Sequence, residues 1–131
     1  MTTADHDELY EKGLRIRREV LGGAHVDRSL AAATEFSRPV QDLVTSYCWG
    51  ALWGRDGIDR RTRSLLNLVL LAALNRDHEL AAHVRGAVTN GCTETEIRES
   101  LLHVAVYCGV PAGLEAFRVA DRVLGELRER D

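Results

Sequence analysis

The chain has 131 residues, 45% hydrophobic and 28% charged, the balance of one soluble globular domain with enough core to stand without disulfides or a structural metal. Seventeen basic residues against 20 acidic ones leave a formal charge of −3, and only 5% are aromatic. That offers no field for nucleic acid or an anionic membrane and little with which to stack bases. The longest nearly apolar run, residues 65–74, is interrupted by Asn67 and is about half the length needed to cross a bilayer. The first twenty residues are charged throughout and do not read as a secretory signal, so a cytoplasmic location is expected.

The periodicity is helical nearly everywhere. Residues 7–21 place Leu9, Leu14, Ile16, Val20 and Leu21 among charges, and Gly22 and Gly23 end that helix; residues 1–7 are expected to be loose. Residues 26–35 form a short helix or turn. A third helix begins near Ser37, with Pro39 in its first turn, and runs toward Trp53 before a turn-rich break at residues 54–57. Asp59 caps a helix over residues 60–74 whose second half is apolar all round, which suits the middle of the domain. Asp77 opens a helix through Glu79 and His83 to Asn90, with Gly91 where a left-handed residue is wanted. Thr93 and Glu96 have capping-box spacing for a helix to about Tyr107, and Gly109, Val110 and Pro111 separate it from a last helix over residues 112–128, with Leu114, Phe117, Asp121 and Leu124 at helical spacing. The expected fold is all-α: residues 1–131 as a compact single-domain bundle of about six helices.

Three features could carry chemistry. Glu79 and His83, at i and i+4, share a helix face, where a carboxylate can orient an imidazole and fix its tautomer for proton transfer. Arg55, Arg60, Arg61 and Arg63 cluster near a helix N-terminus and could clamp an anion, although 16 of the 17 basic residues are arginine and such clusters arise easily against that background. Tyr47, Cys48, Trp49 and Gly50, followed by Trp53, place two indoles on one stripe that could wall a pocket, fill a core or form a subunit interface. Cys48, Cys92 and Cys108 form no CxxC pair and read as reduced thiols. No third ligand joins the histidines, so no metal site is expected.

Taken together, these segments resemble the 4-carboxymuconolactone decarboxylase family. The resemblance rests on Tyr47-Cys48-Trp49-Gly50, the stretch from Trp53 to Gly57, Arg61-Thr62-Arg63-Ser64-Leu65 and Asn75-Arg76. It continues through His78-Glu79-Leu80, His83-Val84, Asn90-Gly91, Glu96-Ile97-Arg98-Glu99 and Tyr107-Cys108-Gly109-Val110-Pro111-Ala112, in order and over nearly the whole chain. It implies an AhpD-like helical fold and a homo-oligomer, a trimer or a hexamer. The wider superfamily's redox members need a CxxC ahead of the histidine. Aligned on His83, those positions hold Arg76 and Glu79, so thiol exchange there is excluded.

The resemblance implies cofactor-independent decarboxylation of 4-carboxymuconolactone, a small anionic lactone, to β-ketoadipate enol-lactone in protocatechuate catabolism. Loss of CO2 leaves electrons that spread through the ring double bond onto the lactone carbonyl, so the substrate is its own electron sink. His83 is then the proton donor and Glu79 its orienting partner. Arg63 or Arg60 anchors the retained carboxylate, and Trp49 and Trp53 keep the pocket dry. Three other readings stand beside it: a related acid–base enzyme on another lactone or enone, a non-catalytic oligomer that binds a small ligand, and a thiol redox protein using Cys48 or Cys108. His78, His103 and Cys108 receive no role.

Overall fold

A computed structural model describes residues 2–130. Among these the chain forms seven α-helices and one π-helical stretch, with no strand, so the all-α expectation holds with one helix more than the sequence suggested. The helices fall into two compact units, one ending at Ile58 and the other beginning at Asp59.

In the first unit, α1 spans Thr3–Leu21. It starts four residues before the expected boundary because Thr2 and Asp5 make a capping box: the Thr2 hydroxyl accepts from the Asp5 amide, and the Asp5 carboxylate accepts from the Thr2 amide, each at 3.1 Å. Residues 3–7, expected to be loose, are therefore helical. Gly22, at φ 91°, ends α1, and α2 follows over Gly23–Ala31. Helix α3, Arg38–Leu43, carries Pro39 in its first turn.

The sequence predicts one continuous helix from residue 37 to Trp53, but after α3 the winding loosens into a π-helical stretch, Val44–Leu52. The Trp53 amide reaches back five residues to the Cys48 carbonyl at 3.0 Å. At the point of loosening, the Thr45 hydroxyl donates to the Gln41 carbonyl at 2.8 Å, a competitor for the helix's own hydrogen bonds. This stretch packs along α1, whose buried stripe is Gly13, Ile16, Arg17 and Val20. Gly13 allows the close approach: a Cβ there would fall on the Thr45 carbonyl oxygen and lie 2.8 Å from the Gly50 amide nitrogen.

In the second unit, α4 spans Arg60–Ala73, α5 Asp77–Thr89, α6 Glu94–Tyr107 and α7 Val110–Glu129. Asp59 caps α4 as expected, accepting from the Thr62 amide at 2.8 Å, and this contact holds its carboxyl below the usual range. Asn75 at φ 60° turns the chain from α4 to α5, and Gly91 at φ 88° ends α5. Thr93 and Glu96 form the predicted capping box. The core gathers Leu68, Leu80, Val84, Ile97, Leu101, Val104 and Val123, all essentially without exposure.

Helix α4 departs from the all-round burial expected of it. Leu68 and Ala72 face the core, whereas Leu66, Leu70 and Leu74 are 52%, 57% and 60% exposed. The buried stripe of α7 is Gly113, Ala116, Val119, Ala120 and Val123, and Leu114 faces outward. Gly113 sets this helix directly on Ala105 of α6, a separation at which a larger residue has no room.

Candidate active site

Helix α5 carries both Glu79 and His83. Leu80 and Val84 are fully buried and fix the rotation of the helix about its axis. That leaves His83 half-buried, one turn beyond an exposed Glu79. A proton donor needs this kind of placement, partly withdrawn from water yet open on one side to a ligand.

Arg60 and Arg63 lie in the first turn of α4, both half-buried, and each is engaged in the structure, as is His83. Arg61 is exposed and pairs with Glu96 of α6, its Nε donating to Oε1 at 3.3 Å. The register of α4 against α5 is set by Asn90, whose side-chain amide donates to the buried Ser64 hydroxyl at 2.9 Å. Arg63 therefore sits level with the end of α5, and His83 is about two turns back, roughly 10 Å along the helix.

The remaining candidates are placed as follows. Trp49 and Trp53 belong to the first unit, buried with Ile16 and Val20, and their rings stack at 4.8 Å between centroids and 27° between planes. His78 is exposed at the start of α5. His103 stacks on Tyr107 at 5.8 Å on the exposed side of α6, and Cys108 is exposed just beyond it. A groove of about 530 Å³ between α6 and α7, lined by Leu101, Leu114, Phe117 and Leu124 with Arg98 and Asp121, contains none of the predicted site residues. Among the described residues, no three of His, Cys, Asp or Glu are grouped to hold a metal ion. No helix among them is long and apolar enough to cross a membrane.

Arg17 was not among the candidates from sequence. It occupies a position in the buried stripe of α1, so the available signal was an arginine at i+4 from Gly13 and i−3 from Val20. The abundance of arginine concealed it.

The carboxymuconolactone decarboxylase family profile matches residues 38–122, a span that holds every residue of the predicted site. This chain belongs to that family. It is 44% identical over 125 residues to the nitrosuccinic acid decarboxylase of Metarhizium robertsii, covering 95% of this chain and 87% of the relative. It is 40% identical over 121 residues to the 4-carboxymuconolactone decarboxylase of Acinetobacter baylyi, covering 92% and 90%. A 4-carboxymuconolactone decarboxylase of Pseudomonas putida is 39% identical over 46 residues. Family membership and these two near-full-length relatives support carboxy-lyase activity.

Proposed function

We propose that the chain decarboxylates 4-carboxymuconolactone to β-ketoadipate enol-lactone without a cofactor. The reading is carried by near end-to-end similarity to the Acinetobacter baylyi enzyme, in a chain that sets Glu79 and His83 one turn apart on α5. As the bond to the departing CO2 breaks, its electron pair moves through the ring double bond to the lactone carbonyl oxygen. His83 then delivers a proton to the carbon next to that carbonyl, and Glu79, one turn earlier on the same helix, orients the imidazole. Arg63 or Arg60 holds the carboxylate that stays. The place of such an enzyme is the cytoplasm, in agreement with three unpaired thiols.

The similarity to nitrosuccinic acid decarboxylase favours a second substrate. Nitrosuccinate is also a dicarboxylate that carries its own electron sink, since a nitro group accepts the pair left by CO2. The two readings share the acid and the clamp, and differ only in the acceptor oxygen. Measuring CO2 release from each substrate separates them: kcat/KM is expected to be higher for 4-carboxymuconolactone. A preference for nitrosuccinate would transfer the assignment, and turnover of neither would remove it.

A homo-oligomer, trimeric or hexameric, is part of the same proposal. Leu66, Leu70 and Leu74 on α4, and Val106, Tyr107, Val110 and Leu114 around the junction of α6 and α7, expose more apolar surface than isolated surface residues account for. Light scattering on the eluting chromatographic peak should give a multiple of three chains. A monomeric mass would overturn the proposal.

A further inference from the structure

Arg17 sits where the pattern of α1 calls for an apolar side chain, and only 6% of the residue is exposed. Its Nη1 donates to Gln41 Oε1 and to Thr45 Oγ1, both at 3.1 Å and both neutral acceptors. Its Nε is fully buried with no hydrogen-bond partner, and no carboxylate of the described residues pairs with the guanidinium. The groups whose charge it feels are the Tyr10 phenol and the Cys48 thiol, and burial pushes its pKa down. A buried cation left in this condition is costly, and it lacks a counter-charge that the described residues do not supply.

The geometry says what that partner is. Gln41 and Thr45 occupy the Nη1 corner and hold the guanidinium plane fixed. The opposite edge carries the buried, unpartnered Nε–H beside Nη2–H, the fork that grips a carboxylate through two parallel hydrogen bonds once a ligand is admitted. An independent feature lies at the same place. The π-helical stretch begins at Val44, beside Thr45, and such widened turns recur where a helix is shaped around a ligand.

We propose that Arg17, braced by Gln41 and Thr45, is a binding site for the carboxylate of a small organic acid. Two sources share that chemistry: the substrate's retained carboxylate, which would then replace the Arg63 or Arg60 assignment above, and a separate acid acting as an effector. In the second case the site stands whether or not the decarboxylase reading does.

The test uses succinate as the probe, with sodium chloride at matched ionic strength as the control. Succinate is expected to raise the thermal unfolding midpoint of the parent protein as its concentration rises, and the response should be weakened about tenfold or more in Arg17→Met and Arg17→Lys. Without ligand, Arg17→Met should melt no lower than the parent, because the substitution removes an uncompensated buried charge at similar volume. Decarboxylation kinetics then distinguish the sources. A rise in KM of about 10²-fold in Arg17→Met identifies the substrate's carboxylate, and an unchanged KM alongside a lost succinate response identifies a separate acid. The proposal is overturned if succinate does not stabilise the parent, if it stabilises Arg17→Met equally, or if Arg17→Met melts well below the parent and so shows the guanidinium to be a structural tie.

Discussion

His83→Ala should lower the rate of decarboxylation by about 10²–10⁴-fold, the usual worth of a positioned general acid. The helix that carries His83 is held by Leu80 and Val84, both fully buried, so circular dichroism should keep its helical signature. An alanine in the helix interior costs nothing in propensity. The loss should fall on kcat more than on KM, because the proton is needed after the substrate is bound. Parent-like turnover by a folded His83→Ala protein would place the proton donor elsewhere.

The second large effect concerns stability. Gly13→Ala would set a methyl group on the Thr45 carbonyl oxygen and 2.8 Å from the Gly50 amide nitrogen, both of them backbone atoms. Gly50 closes the same contact from the other side, where an added Cβ would lie 2.5 Å from the Leu9 carbonyl oxygen. Neither obstacle can swing away as a flexible side chain does, so α1 and the π-helical stretch would have to separate, and the Trp49–Trp53 cluster with them. The expected loss is about 3 kcal/mol, at the upper end for overpacking. Gly125→Ala on α7 is the control. Nothing lies within 4 Å of its added methyl, and it should stabilise by about 0.5–1 kcal/mol through helix propensity alone. Denaturant titration reads both. Equal midpoints for Gly13→Ala and the parent would refute the close approach.

The second unit was largely legible in the sequence because its boundaries are written in local chemistry. Asp59, Thr93 with Glu96, and Gly91 each mark a helix end through a hydrogen bond or a backbone angle, and each does so in the structure. The capping box of Thr2 and Asp5 uses the same chemistry, but charged residues near the chain start read in sequence as a loose end. Periodicity was incomplete where small residues do the packing. Of the helically spaced residues 114, 117, 121 and 124 on α7, Phe117 and Leu124 pack against the core and Leu114 and Asp121 face outward, whereas Gly113, Ala116 and Ala120 are buried and permit close helix contact. Within the site, the i, i+4 spacing of Glu79 and His83 is a property of any helix and was readable at once. The level of Arg63 against them was not, because it depends on the bond between Asn90 and Ser64 across two helices. Arg17 was invisible for a related reason. Its significance is the missing counter-charge, and a one-dimensional pattern records neighbours along the chain but not partners across it.

The widened turn at Val44–Leu52 also bears on how this chain tolerates changes in length. A π-helical turn is what one additional residue makes of an α-helix whose two ends are already anchored. Deleting a single residue within it would restore ordinary winding and leave the two anchored ends in phase, so Thr45 would still meet Arg17 and Trp53 would stay buried beside Ile16 and Val20. The same deletion in an ordinary helix such as α1 would turn everything beyond it by about 100° about the axis. Among homologues, one-residue gaps should therefore fall in this stretch rather than in α1.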